Sequence, residues 1–204
     1  MSSKDNNITF YSENSALLFS QYQSISFENV HNSWVQAIDF QQCKTALDIG
    51  AGSGRDALAL KHKRLCVTAI EPSDDLRALG QTFTGDDVTW LDDYLPQLTK
   101  IKDKSFDIIL ISAVWMHLSP DEQSQSIKTI STLLNVDGYL IITLRHGHFS
   151  DARTAFEVDA KRTIAEAKQH GLALILSKHE GDKLSRDDVS WHTLCFKTMI
   201  NQLP

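Results

Sequence analysis

The stretch Ala46-Leu47-Asp48-Ile49-Gly50-Ala51-Gly52-Ser53-Gly54-Arg55-Asp56-Ala57 decides the fold. Four residues suited to a buried strand run straight into three glycines at alternate positions, and helix-compatible sequence follows. Missing side chains at such a strand-to-helix junction permit a tight turn and let a ligand approach the main chain closely. An acid, Asp48, stands two residues before the first glycine.

Outward from this loop, short apolar runs at 46–49, 65–70, 88–91, 106–111 and 139–144 alternate with helix-length segments. Nearly continuous apolar strands belong to parallel sheets covered on both faces. Strands alternating with helices build right-handed βαβ units and hence an open sheet. The runs at 172–176 and 189–198 have no helix between them, which predicts a hairpin with the last strand antiparallel. The expected class is therefore α/β, a Rossmann-like doubly wound sheet of seven strands with the last antiparallel, plus an N-terminal helical cap. After a polar start, residues 15–40 read as two helices, the second carrying Phe27, Val30, Trp34 and Ile38 on one stripe. Ser119-Pro120-Asp121-Glu122 offers an N-cap serine, proline at the first helical position and a reciprocal glutamate. That helix should run to about 134 and end before a turn at 135–138. A long helix over 151–169, closed by Gly171, should follow. The expected division is a cap segment at 1–42 and the main body at 43–204, one domain overall.

Bulk properties narrow the class. The chain has 204 residues, 42% hydrophobic and 23% charged, with formal net charge -6. These are ordinary globular values. Acids and bases are interleaved, which argues against a basic nucleic-acid-binding face. Cys43, Cys66 and Cys195 are scattered, with no CxxC pair, so neither a metal site nor a disulfide framework is expected. Cys66, in an apolar run, reads as a buried thiol. The start MSSKDNNITF lacks the pattern of a signal peptide, and no apolar run approaches the ~20 residues that span a bilayer. A cytoplasmic protein with no membrane partner is expected; oligomeric state is not legible.

Phosphate, a dinucleotide and a sulfonium cofactor all suit bare backbone. No Lys-Ser or Lys-Thr follows Gly54, which excludes a nucleotide-triphosphate loop. GSGRDA does fit the dinucleotide pattern. A carboxylate at Asp48, however, would repel a pyrophosphate and suit a cation. LDIGAGSGRDA resembles the first motif of class I S-adenosylmethionine-dependent methyltransferases, and later motifs follow in that family's order over about 45–147. The resemblance implies that Asp48, Gly50, Gly52, Gly54 and Arg55 line the methionine side of the cofactor. VTAIEPS places Glu71 seventeen residues after Gly54, with Pro72 beside it, where the family's acid holds the ribose hydroxyls. TWLDDYLP resembles the adenine-recognising segment, with Asp92 or Asp93 in the acid's place. FDIILISAVWMHLSP resembles the fourth motif and puts Ser112 at the cofactor edge, and DGYLIITLRHG the segment after it.

The family's reaction needs alignment of the acceptor with the donor methyl, and a base for acceptors that lose a proton. His117, past the fourth strand, is either that base or a capping or packing residue. Arg145, after the fifth strand beside His146 and His148, either contacts an acidic substrate group or bridges a local acid. Trp115 and Met116 read as core, with Trp115 also placed to form a stacking wall. His31, His62, His170 and His179 read as helix-surface or loop residues without a role. The resemblance further implies that cap helices bring Tyr11 or Tyr22 to the cofactor.

The leading expectation is an S-adenosylmethionine-dependent methyltransferase acting on a small molecule, with S-adenosylhomocysteine as product. Two alternatives stand beside it: methylation of a protein side chain, and a non-catalytic module that binds the cofactor. Ser112-Ala113-Val114-Trp115 lacks the prolines of amino-methylating nucleic-acid enzymes, so no nucleic-acid partner is expected.

Overall fold

A computed structural model of the chain describes residues 3–199. Residues 1–2 and 200–204, at the outer ends of the two expected segments and of the stretch read for a leader, lie outside the described residues.

Seven strands form one sheet: β1 (Thr45–Ile49), β2 (Cys66–Ile70), β3 (Val88–Leu91), β4 (Phe106–Ile111), β5 (Leu134–His146), β6 (Leu172–Gly181) and β7 (Ser190–Thr198). Their order is β3-β2-β1-β4-β5-β7-β6. Strands β1 to β5 pair in parallel, while β7 runs antiparallel to both β5 and β6. The sheet is the expected Rossmann-like one with its antiparallel last strand.

The continuous apolar runs are explained by burial on both faces. Leu47, Ile49, Ile109, Ile111, Leu140 and Ile142 face one core, with Ile127, Ile130 and Leu133 of α6 (Pro120–Leu133). Ala46, Ile108, Leu110 and Ile141 face the other, against Ala57 and Leu60 of α4 (Arg55–His62) and Trp34 of α3 (Phe27–Val35). Successive strand residues point to opposite faces, so only unbroken hydrophobicity fills both layers. Each fully buried Leu or Ile contributes about 1.5–3 kcal/mol. The remaining helices are α1 (Ser3–Glu13), α2 (Ser15–Gln23), α5 (Asp74–Thr84) and α7 (Ala160–Gln169). From β1 the chain moves outward through β2 and β3, then crosses back to lay β4 on the other side of β1. That reversal opens a crevice at the carboxyl ends of β1 and β4.

Several local expectations are corrected. The polar start is helical: α1 precedes the two expected helices, and the second of these stops at Val35, before Ile38. Ser119 does cap α6, with the full reciprocal box to Glu122. The turn expected at 135–138 is instead a bulged opening of β5, because Leu134 already pairs with Phe106. The long helix expected from 151 begins only at Ala160, where the Asp159 carboxylate caps it through Lys161 N and Arg162 N. Segment 147–159 is instead tied across the crevice mouth, with Phe156 N donating to Met116 O at 2.8 Å. Cys66 is exposed, at the first position of β2, where burial begins only with the next residue. His31 is fully buried rather than on a helix surface.

Candidate functional site

The glycine loop forms the floor of the crevice. Gly50 N and Ala51 N both donate to Ile70 O, at 2.8 and 2.9 Å, which ties the end of β1 to the end of β2. Gly50 has φ +71°, and a Cβ there would sit 2.3 Å from Val114 Cγ2. No side chain fits between the loop and the turn after β4. Glu71 follows β2, and each of its oxygens accepts one backbone N–H: Gly52 at 2.9 Å and Ser73 at 3.0 Å. Burial pushes its carboxyl up to about 7, against the pull of those two bonds.

Above this floor lies a cavity of about 280 Å³. Of the residues expected at the cofactor, Gly50, Gly52, Arg55, Glu71, Pro72, Asp93 and Ser112 line it, as do His117 and Arg145. Asp48, Gly54 and Asp92 do not. Asp48 is 1% exposed beneath the loop, and its Oδ2 makes no hydrogen bond. Burial, with Asp56 nearby, pushes its carboxyl well above the usual range. Gly54 is the N-cap of α4, and a Cβ there would meet Thr84 Cγ2 at 2.9 Å and the Trp90 ring at 3.0 Å. Its bareness serves close packing of α4 on α5 and β3. Asp92 faces outward and pairs with Arg77 and Lys100 at 3.7 and 3.6 Å. Asp93 turns inward and accepts from Tyr94 N and Lys100 N at 2.9 and 2.7 Å, fixing the loop that walls the cavity beyond β3.

The cap helices close the other side. Arg55 clamps Asp56 through Nε and Nη2, at 2.6 and 3.0 Å, and reaches Tyr22 O at 3.2 Å. Asp56 in turn accepts from His31 Nε2 at 2.9 Å, while His31 Nδ1 accepts from Trp34 Nε1 at 2.9 Å. The indole can only donate, so the buried imidazole carries its proton on Nε2. Burial alone would raise the Asp56 carboxyl; His31 and Arg55 hold it well below the usual range. The Tyr22 ring lies 3.5 Å from the position of a Gly52 Cβ, so α2 roofs the loop.

Tyr11 of α1 brings its hydroxyl to 2.9 Å from His117 Nε2. On the other side of the ring, His117 Nδ1 lies 3.1 Å from both Thr154 O and Asn7 Nδ2. Asn7 is held in place because its amide pairs with Thr154 in both directions, at 2.9 and 2.8 Å. The carbonyl can only accept and the amide can only donate, so two tautomers are open to His117, both neutral. Burial pushes the imidazole down to about 4, with Arg153 and Arg145 adding to the shift. Phe149 stacks on the His117 ring at 5.6 Å, with the Arg145 and Arg153 guanidinium groups each 4.0 Å from the Phe149 centroid. Asn7, Phe149 and Arg153 had no signal in the sequence, since nothing local marks a residue positioned by contacts a hundred residues away. Trp115 is fully buried in the core with Met116 and does not line the cavity.

Residues 47–142 match a family model described as a methyltransferase domain. That match covers just under half of the chain, so over this stretch the chain is similar to a methyltransferase domain. Solved methyltransferases that share the fold hold S-adenosylmethionine or S-adenosylhomocysteine. An uncharacterized methyltransferase from Staphylococcus carnosus (strain TM300) is 40% identical over 97 residues, 47% of this chain and 44% of that protein. The chain thus matches less than half the length of that relative. Among solved structures, magnesium protoporphyrin IX methyltransferase from Synechocystis PCC 6803 with bound SAH is 14% identical, with 94% of this chain and 99% of that chain covered at a TM-score of 0.68. The 1,6-didemethyltoxoflavin-N1-methyltransferase of Burkholderia thailandensis is 18% identical, with 92% and 90% covered at a TM-score of 0.62. At these identities the structural likeness concerns the fold of the methyltransferase domain.

The residues present fit the class's cofactor. A buried carboxylate at Glu71 suits a ribose diol, the bare Gly50–Gly52 backbone suits close approach of the chain beyond it, and Pro72 and Leu95 offer apolar walls for a base. No helix among the described residues is long and apolar enough to cross a membrane.

Proposed function

We propose that this protein transfers a methyl group from S-adenosylmethionine to a small-molecule acceptor. One observation carries the reading. The cap helices and segment 147–159 meet over the cavity through Asn7–Thr154 and Tyr11–His117, leaving about 280 Å³ beneath them. Cofactor and acceptor would share this capped cavity, since Gly50, Glu71 and Pro72 line it together with His117 and Arg145, which favours a small acceptor; a protein side chain would have to enter on its backbone past the cap. The helices before β1 thus act as the cap of a single domain, completing its active site. Two of the fold neighbours are named as methyltransferases of magnesium protoporphyrin IX and 1,6-didemethyltoxoflavin, both small molecules.

When bound, S-adenosylmethionine supplies an electrophilic methyl on a sulfonium. Glu71 would hold its ribose, Gly50–Gly52 its amino-acid portion, and Asp93–Leu95 its base side. The chain's own contribution is to orient the acceptor, exclude water and take up a proton. Neutral His117 is competent as the base, and Tyr11 stands on its Nε2 as the relay through which the acceptor's proton leaves. Three free cysteines, Cys43, Cys66 and Cys195, accord with a reducing, cytoplasmic setting.

The test is transfer of labelled methyl into a cell extract split by mass. Label in the low-mass fraction supports the reading. Label confined to protein favours side-chain methylation, and S-adenosylhomocysteine binding with no transfer to either fraction marks a non-catalytic module.

A further inference from the structure

Among the described residues, the lysines and arginines that line the cavity are paired with carboxylates, with one exception. Arg55 is neutralised by Asp56, Arg153 by Asp151 at 2.6 Å, Arg186 by Asp182 at 2.6 Å, and Lys183 by Glu180 at 3.6 Å. Arg145 also lines the cavity and is 6% exposed, yet among the described residues no carboxylate lies within ion-pair distance of it. Its Nη1 and Nη2 donate to the carbonyls of Gly147 and His148, at 2.5 and 3.1 Å, while its Nε is buried without any partner. The guanidinium is held by backbone and by the Phe149 face, and Asp182 and Asp188 act on its charge only from beyond ion-pair distance. A buried cation in that condition is costly unless a ligand supplies the anion.

The geometry points to a methyl acceptor that carries a carboxylate, bound by Arg145 in the cavity. This rests on the methyltransferase reading and narrows it to a substrate class. Arg145 is the penultimate residue of β5, which lies two strands from the glycine loop after β1, about 10 Å across the sheet. It therefore stands on the acceptor side of the cofactor floor, near His117. A planar carboxylate matches the guanidinium fork and takes the Nε donor that now has no partner. The carboxylate is a handle and not the methylated atom. A nucleophile elsewhere on the acceptor bonds to the methyl carbon as the sulfur–methyl bond breaks, leaving S-adenosylhomocysteine. The proton lost by the acceptor goes through Tyr11 to His117.

The test is titration of the S-adenosylhomocysteine-loaded protein with benzoate and with benzamide, its uncharged isostere, followed by calorimetry or ligand-observed NMR. Benzoate should bind at least tenfold tighter than benzamide. Arg145→Gln should abolish that difference and Arg145→Lys should retain part of it, both with S-adenosylhomocysteine affinity unchanged. Equal binding of the two probes, no binding of either, or a preference surviving in Arg145→Gln overturns the proposal. Loss of S-adenosylhomocysteine affinity in both variants assigns Arg145 to the cofactor and overturns it as well. Failure of the unmodified protein to bind S-adenosylhomocysteine at all is a different result, because it rejects the methyltransferase reading itself.

Discussion

The Tyr11 hydroxyl lies 2.9 Å from His117 Nε2, joining the first helix of the chain to the turn that follows β4. Cap and catalytic edge are thus one hydrogen-bonded unit, and the unit has measurable consequences.

His117→Gln is expected to lower kcat by about a hundredfold or more, within the range of lost general-base catalysis. Tyr11→Phe should lower it by less, and S-adenosylhomocysteine affinity should change little in either. Because burial holds His117 near 4, the imidazole is neutral across physiological pH. Wild-type kcat should therefore be flat down to about pH 5 and fall below it. A pH–rate profile with an inflection near 6.5 that survives in His117→Gln would contradict the assignment.

Glu71 gives cofactor binding a pH dependence of the opposite origin. Its carboxyl rises from 4.5 to about 7 in the folded protein because burial disfavours the charge. The stability it contributes is full below pH 4.5 and is lost as pH rises through 7. Ribose hydroxyls donate to the ionised form, so S-adenosylhomocysteine should bind more weakly as pH falls below 7, by up to about tenfold per unit. In Glu71→Gln affinity should be lower and flat between pH 5.5 and 8.5. Calorimetric titration across that range checks both parts.

Gly50 tests the loop. An alanine there would bring its Cβ to 2.3 Å from Val114 Cγ2 and adopt φ +71°. The conformational term alone costs about 1–2 kcal/mol. Gly50→Ala should weaken S-adenosylhomocysteine binding by about tenfold or more and lower Tm, while Gly50→Ala with Val114→Ala should recover only the steric part.

The glycine loop, Glu71 and the Ser119 cap were legible because each is written in a few adjacent residues whose chemistry is local. The position of Asp48 by the loop is visible in sequence, but its burial outside the cavity lining is not. Asp92 and Asp93 are neighbours in the chain, and only the turn fixed by Tyr94 N and Lys100 N decides which faces inward. The α1 helix and segment 147–159 were opaque for a different reason. Their polar sequences carry no periodic stripe, and they are held by Asn7–Thr154 and Tyr11–His117, pairings that span more than a hundred residues. His31 looked like a surface residue since its partners, Asp56 and Trp34, lie one on another helix and one a turn away.

That buried trio anchors the cap to α4, and removing one partner leaves the others uncompensated. Asp56→Ala is expected to cost about 3–5 kcal/mol, a drop of roughly 6–20 °C in Tm for a chain of this size. Thermal unfolding followed by circular dichroism measures it directly.

The central claim is tested most directly by thermal unfolding with S-adenosylhomocysteine and NAD side by side, on wild type and Glu71→Ala. At a hundredfold excess over its dissociation constant, a ligand of the folded state adds about 2.7 kcal/mol. Stabilisation of the wild type by S-adenosylhomocysteine, absent with NAD and sharply reduced in Glu71→Ala, is the predicted result. Stabilisation by NAD alone, or a response to S-adenosylhomocysteine that Glu71→Ala leaves intact, would contradict the account.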